Sequence, residues 1–118
     1  AILFAAHHKL DNLDTIIDRN QLQSIYSTED TLALEPFIDK WKSFGWEVSE
    51  VDGHNHEEIF KACNNIKPPR NKPLCRIANT IKGKNVSFME NNTLWHYRSP
   101  QGHEYKLAIA ELEKKDER

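Results

Sequence analysis

The fold is decided by the stretch LDTIIDRNQ, residues 13–21. Residues 13–18 form a short run rich in β-branched apolar side chains, which is typical of a strand buried on both faces of a sheet. Polar residues follow at once, with Arg19, Asn20 and Gln21. In an open α/β sheet, ligands bind beyond the carboxyl ends of the strands. The stretch therefore predicts a buried strand and a candidate binding position at its end.

Helical and extended patterns alternate on either side of this strand. Before it, strong helix formers and apolar spacing predict a helix over residues 1–10. After a polar stretch, Pro36 suits the first turn of a helix over residues 34–45, and Gly45 suits its C-terminal cap. A strand over residues 46–51 then ends at the turn dipeptide Asp52-Gly53.

The second half of the chain continues the alternation. Asn55 and Glu58 resemble a capping box for a helix over residues 57–65, and prolines at positions 68, 69 and 73 mark a loop. Residues 74–81, LCRIANTI, predict another buried strand. Residues 82–102 lack periodicity. Residues 103–114 predict an amphipathic helix with an apolar face of Tyr105, Leu107, Ala108, Ile109 and Leu112.

The order of these elements predicts the fold class α/β, with a mainly parallel sheet flanked by helices. A chain of 118 residues holds one domain or a piece of one. We divide it into an α/β core over residues 1–81, a loop over 82–102 and a terminal helix over 103–118. An irregular segment of about twenty residues in a compact α/β unit is typical of a functional loop or of one covered by a partner.

Composition excludes several classes of function. The net charge is −2, with 16 basic and 18 acidic residues spread along the chain, so bulk electrostatics do not favour nucleic acid. The longest apolar run, residues 1–6, is far shorter than the roughly 20 residues of a membrane span, and we expect no membrane segment. Cys63 and Cys75 match no metal or redox spacing, so we expect reduced thiols and a cytoplasmic location.

Two positions invite a functional interpretation from the residues alone. Asn20 is either a turn former at a strand end or, with a backbone carbonyl two residues on, a ligand of a hard cation such as Mg²⁺. His96, between Trp95 and Tyr97, is either a surface histidine or a catalytic group placed by a loop on a rigid scaffold.

Other motifs are less specific. Adjacent histidines on a helix point about 100° apart, so His7 and His8 cannot easily share an ion. The His54-x-His56 pair has no third ligand at motif spacing, which argues against a zinc site. Residues 82–84, KGK, lack the full phosphate-loop pattern.

Three long segments together resemble one protein family. They are HHKLDNLDTIIDRNQLQ (7–23), EPFIDKWKSFGWEVSEVDGHN (35–55) and IANTIKGKNVSFMENNTLWHYRSP (77–100). In this order and spacing they resemble the thiamine-diphosphate domain of transketolases, and in particular the separate N-terminal subunit of split, two-chain transketolases. The resemblance covers residues 1 to about 112 and implies the C-terminal portion of such a domain, with a partial thiamine-diphosphate-binding fold.

The resemblance implies specific roles. Asn20 and the Leu22 carbonyl match the family's Mg²⁺ ligands, and His96 matches the loop histidine that reaches the cofactor diphosphate and the substrate. Residues 82–102 would then be an active-site loop. The implied cofactors are thiamine diphosphate and Mg²⁺. The implied reaction moves a two-carbon ketol unit from a ketose phosphate to an aldose phosphate.

The chain also departs from the family pattern. The Gly-Asp-Gly motif, whose Asp ligates Mg²⁺, is missing, so we expect the isolated chain to be inactive. Asn85, Tyr97 and Tyr26 stand where the family commonly has glycine. At positive φ a residue other than Gly or Asn costs roughly 1 kcal/mol or more, so Asn85 is tolerable there and Tyr97 is expected to be strained.

The resemblance implies sugar phosphates as substrates, a C-terminal transketolase subunit or domain as partner, and a homo- or hetero-oligomer. Two alternatives stay open. One is a related enzyme such as 1-deoxyxylulose-phosphate synthase or dihydroxyacetone synthase. The other is a non-catalytic remnant or a chain kept for subunit pairing, which Tyr26 and Tyr97 in place of glycines would favour.

Overall fold

A computed structural model describes residues 1–64 and 70–116, with the side chains of 115 and 116 left aside. The predicted loop prolines at 68 and 69, and the predicted helix end at 65, lie outside the described residues. The elements are α1 (Ile2–His7), β1 (Asp14–Arg19), α2 (Thr28–Leu32), α3 (Phe37–Ser43), β2 (Glu47–Asp52), α4 (His56–Asn64), β3 (Leu74–Asn79), a 3₁₀ turn (Thr93–His96) and α5 (His103–Asp116).

The chain divides into two compact units. The core unit comprises Ala1–Arg19 and Ala33–Thr80. The pocket unit comprises Asn20–Leu32 and Ile81–Arg118. Each unit is therefore built from two separate stretches of sequence. The division predicted from the sequence, into residues 1–81, 82–102 and 103–118, stays a prediction.

The core unit contains a three-stranded parallel sheet in the order β1-β3-β2. Ile17 of β1 and Val48 of β2 pair in register with Ile77 and Cys75 of the central strand β3. The first five residues of β3 are buried on both faces, as its apolar run predicts. The predicted class, α/β with a mainly parallel sheet flanked by helices, is confirmed.

One face of the sheet packs against α1 and α3. Ala5, Trp41, Trp46, Cys75 and Ile77 form the buried cluster of this core. The two tryptophan rings meet edge to face with centroids 4.9 Å apart, a favourable geometry for aromatic pairs. The Trp46 indole N–H donates to the Ile2 carbonyl at 3.0 Å, so its polar atom is satisfied where the ring is buried.

Helix boundaries differ from the prediction by a few residues. The first helix ends at His7, and Lys9 then takes a φ of +50°. The predicted helix over 34–45 begins only at Phe37, because Pro36 is the capping residue and the Glu35 carboxylate accepts the Phe37 N–H. Gly45 lies one residue beyond the cap with a φ of +88°, as a C-terminal glycine requires.

Two local structures of the pocket unit differ from the sequence patterns. The short helix α2 lies in a stretch predicted only as polar, and Ser27 caps it by accepting the Asp30 N–H at 3.0 Å. In α5, only Ala108 of the predicted apolar face is fully buried, while Tyr105, Leu107 and Leu112 are exposed. The predicted helix forms, and three residues of its predicted apolar face are exposed in this chain.

Candidate functional site

The turn after β1 is built by Asn20. Its side-chain oxygen accepts the Leu22 N–H at 2.9 Å, and Gln21 takes a φ of +61° between them. Leu22 then pairs with Ser27 in an antiparallel bridge. Asn20 is thus a turn former, as the first interpretation predicts. An amide oxygen carries two lone pairs, so the turn role and a cation-binding role do not exclude each other.

The segment after residue 81 begins with a tight reversal around Gly83. Gly83 has a φ of +71°, and a Cβ there would lie 2.6 Å from the Met89 carbonyl oxygen, so only glycine fits. Asn91 closes the reversal by donating its N–H to the Lys82 carbonyl at 3.0 Å. Asn85 has a φ of +73°, which Asn tolerates, and this expectation is confirmed.

The expected strain at Tyr97 is wrong. Tyr97 caps the 3₁₀ turn with a φ of −109° and a ψ of −11°, which any residue adopts. Tyr26 is likewise not among the described residues with positive φ. The backbone therefore requires no glycine at either position.

Helix α5 anchors this segment through two carboxylates. Glu111 accepts both the N–H and the hydroxyl of Ser87, at 2.6 and 2.7 Å, and these bonds lower the pKa of Glu111. Glu104 pairs with Arg98, whose hydrogen bond is the largest cause that lowers the pKa of Glu104. Both sets of hydrogen bonds therefore favour the ionised form of the carboxylates.

These turns border an open cavity of about 260 Å³ within the pocket unit. It is lined by Asn20, Leu22, Gln23, Ser24, Lys82 and His96. All three residues singled out from the sequence thus line one cavity, although about 75 residues separate Asn20 from His96. Their roles as ligands or catalytic groups stay predictions.

Sequence reasoning missed Lys82 as a member of this cavity. The signal was its position immediately after a predicted buried strand, where ligands of parallel sheets bind. Lys82 brings a positive charge, His96 an imidazole, and Asn20 and Leu22 amide oxygens. None of the six lining residues is acidic. This donor set suits an anion together with a hard cation that takes oxygen ligands.

Other kinds of functional site have less support in the structure. Within residues 1–64 and 70–116 no three His, Cys, Asp or Glu side chains gather as a metal site would require. Both cysteines are free thiols, and burial raises the pKa of Cys75 to about 11, with the Asp14 charge as a second cause. None of the helices in the described ranges is long and apolar enough to cross a membrane. The cytoplasmic location stays a prediction.

Comparison with known proteins identifies similar sequences and one matching protein family. Residues 1–111 match the family described as transketolase, thiamine diphosphate binding domain. The chain is 39% identical over 118 residues to one subunit of an apulose-4-phosphate transketolase from Phocaeicola vulgatus, covering 100% of this chain and 42% of that protein. It is 41% identical over 114 residues to the 6-deoxy-6-sulfo-D-fructose transketolase subunit SqwG from Clostridium sp., covering 97% and 42%.

A solved structure supports the fold. The transketolase from Campylobacter jejuni superposes with a TM-score of 0.71 and 30% identity, over 79% of this chain and 14% of that one. The chain spans about two fifths of the length of the two subunit relatives.

Proposed function

The chain belongs to the transketolase family, in its thiamine diphosphate binding domain, and from this premise we propose that it forms the diphosphate- and Mg²⁺-binding part of a two-subunit transketolase. The proposed reaction transfers a two-carbon ketol unit from a ketose phosphate to an aldose phosphate. The single observation that carries the proposal is the cavity shared by Asn20, Leu22, Lys82 and His96.

The donor set of the cavity fits the cofactor and its metal. The Asn20 side-chain oxygen and the Leu22 carbonyl would supply two of the roughly six oxygen ligands that Mg²⁺ takes. Lys82 and His96 would donate to the diphosphate oxygens and offset their charge. Bound thiamine diphosphate supplies the carbanion chemistry that breaks and makes carbon–carbon bonds. The residues of this chain bind and orient it.

The names of two relatives support a proposal for the partner and the substrates of this chain. Two relatives are named as transketolase subunits, so we propose that the partner is a second subunit and that the enzyme is an oligomer. Their named sugars carry a phosphate or a sulfo group, which supports an anionic sugar such as a sugar phosphate as substrate. With two Mg²⁺ ligands at most, the isolated chain should turn over no sugar phosphate.

The alternatives receive less support. The unstrained backbone at Tyr97 removes the best argument for a non-catalytic remnant. The named relatives are transketolase subunits, which favours that activity over 1-deoxyxylulose-phosphate synthase.

The decisive experiment measures ketol transfer and cofactor affinity in the complete two-subunit enzyme that contains this chain. We expect Asn20→Ala to weaken thiamine diphosphate binding in Mg²⁺ buffer by about 10- to 100-fold in calorimetry. Asn20→Asp, which keeps an oxygen ligand and a turn acceptor, should recover part of the loss. Asn12→Ala, at an exposed asparagine, is the matched control. Equal affinities for the Asn20→Ala and Asn12→Ala enzymes would refute the metal role.

His96 is tested in the same enzyme. His96→Gln should lower kcat/KM by about 10²-fold or more, since acid–base and charge-stabilising groups contribute at least that much. His103→Gln, at an exposed histidine on α5, should leave it unchanged. For the 118-residue chain alone, sugar-phosphate turnover or submicromolar binding of thiamine diphosphate would contradict the proposed need for further ligands.

A further inference from the structure

We propose that Trp95 is a positioning residue that fixes the direction of the His96 imidazole toward the cavity. The inference rests on the proposed function, because it assumes that His96 acts on a ligand bound there. It adds a residue that neither lines the cavity nor carries a chemical group for the reaction.

Trp95 is held by Phe88. Its indole N–H donates to the Phe88 carbonyl at 3.0 Å, and the two rings meet edge to face with centroids 5.2 Å apart. The hydrogen bond restricts rotation of the Trp95 side chain, and the ring contact keeps the indole packed against Phe88. The Asn92 side-chain oxygen accepts the Leu94 N–H at 3.0 Å and so begins the same turn.

Trp95 is also in contact with Arg98. The guanidinium carbon lies 4.6 Å from the centroid of the Trp95 ring, within the range of a cation–π interaction. Arg98 also pairs with Glu104 at the start of α5. The indole is therefore held both by a carbonyl and by a cation that is itself paired with a helix residue, and these contacts form a clamp on Trp95.

This clamp acts on His96 through the backbone. Trp95 and His96 are consecutive in one 3₁₀ turn, where successive side chains point about 120° apart because the turn has three residues. With Trp95 packed on Phe88 and Arg98, His96 leaves the turn on another side and lines the cavity, where its ring meets the Tyr97 ring edge to face with centroids 4.9 Å apart. A catalytic group misplaced by about 1 Å loses up to about 100-fold in rate, so this orientation matters for turnover.

The test compares two tryptophans in the complete enzyme. Trp95→Phe removes the indole N–H and keeps an aromatic ring under Arg98. Trp46→Phe removes an equal 3.0 Å indole bond, to the Ile2 carbonyl in the core unit, and is the matched control. We expect Trp95→Phe to lower kcat/KM about 10-fold. Trp46→Phe should change kcat/KM less than twofold, although it lowers Tm at least as much.

Coupling to His96 separates positioning from a merely structural role. If Trp95 acts through His96, then Trp95→Phe should add no further loss in a His96→Gln background. Additive losses would overturn the proposal. So would equal kcat/KM values for the Trp95→Phe and Trp46→Phe enzymes.

A second measurement stays decisive if the proposed function itself fails. In ¹³C-histidine-labelled protein, the His96 ring signals are identified by their loss in His96→Gln. We expect them to shift in Trp95→Phe and to stay fixed in Trp46→Phe. Unchanged His96 signals in Trp95→Phe would refute the positioning role. Full activity of His96→Gln with shifted signals in Trp95→Phe would refute only the proposed role of His96, and the orientation by Trp95 would stand.

Discussion

The central strand β3 carries a buried charge, and this feature yields a quantitative prediction. Arg76 is 5% exposed, and its Nε donates to the Asp14 carboxylate of β1 at 2.9 Å. Arg76 Nη2 and Asp14 Oδ1 are buried, and neither has a hydrogen-bond partner among residues 1–64 and 70–116. A buried pair stabilises only when its remaining polar atoms are also satisfied. We therefore expect this pair to be worth less than an apolar pair of similar volume.

The magnitudes follow from the exposure of the two side chains. Breaking a buried pair costs about 3–5 kcal/mol when an unpaired charge stays buried. Asp14→Leu leaves the 6% exposed Arg76 side chain unpaired, so we expect a loss near the lower end, about 3 kcal/mol. Arg76→Met leaves the Asp14 side chain, which is 26% exposed and better hydrated, so the loss should be about 1–2 kcal/mol. The double variant removes both orphaned atoms and should be as stable as the parent or up to about 2 kcal/mol more stable.

Urea unfolding of the parent, the two single variants and the double variant measures this cycle. The exposed pair Glu57–Lys61 is the control, with side chains 84% and 69% exposed. Its cycle should give less than about 0.5 kcal/mol. A double variant less stable than Asp14→Leu, or an Asp14→Leu loss below about 1 kcal/mol, would refute the reasoning about the buried charge.

Three further predictions concern other parts of the chain. With a disulfide reagent at pH 8, Cys63 should react at once, whereas Cys75, with its pKa of about 11, should react only in urea; equal rates in the folded chain would contradict its burial. Gly83→Ala should destabilise the chain by more than about 1 kcal/mol, because the added Cβ meets the Met89 carbonyl at positive φ; an unchanged urea midpoint would show that the turn relaxes. The lowered pKa values of Glu104 and Glu111 mean that their stabilisation is present above the unfolded pKa of about 4.3 and is lost as pH falls through the folded values. In the double variant Glu104→Gln, Glu111→Gln, acid unfolding followed by tryptophan fluorescence should lose that part of its pH dependence, and an unaltered profile would contradict the two anchoring roles.

The strands could be predicted because their signal is local. Residues 13–18 and 74–81 carry apolar runs that indicate burial, and the observed strands start and end within two residues of them. The helix α2 could not be predicted in this way, since it is five residues long and polar. For α5 the sequence pattern predicts an apolar face but not its burial. Of the five residues on that face only Ala108 is fully buried, because burial depends on what packs against a helix.

The candidate site was predictable only in part. The resemblance to transketolases is the main sequence signal for Asn20, Leu22 and His96, and it does not depend on their proximity in the fold. Lys82 was passed over because its motif lacks a phosphate loop, although its place after a buried strand was visible in the sequence. Trp95 and Arg98 gave no signal, because a cation–π contact depends on a turn that no pattern in residues 82–102 indicates.

The pocket unit consists of two stretches that are distant in sequence, so its assembly costs conformational entropy of the chain. Ser24 and Lys82 line the same cavity, and 57 residues lie between them in sequence. Joining the ends of such a loop costs about 4 kcal/mol of closure entropy by the logarithmic rule, unless intervening structure has already shortened the path. Pairing of β2 with β3, within residues 33–80, shortens this path between the two ends of the loop. The cavity is therefore expected to assemble after the sheet, and a ligand that binds there would stabilise the last step of folding.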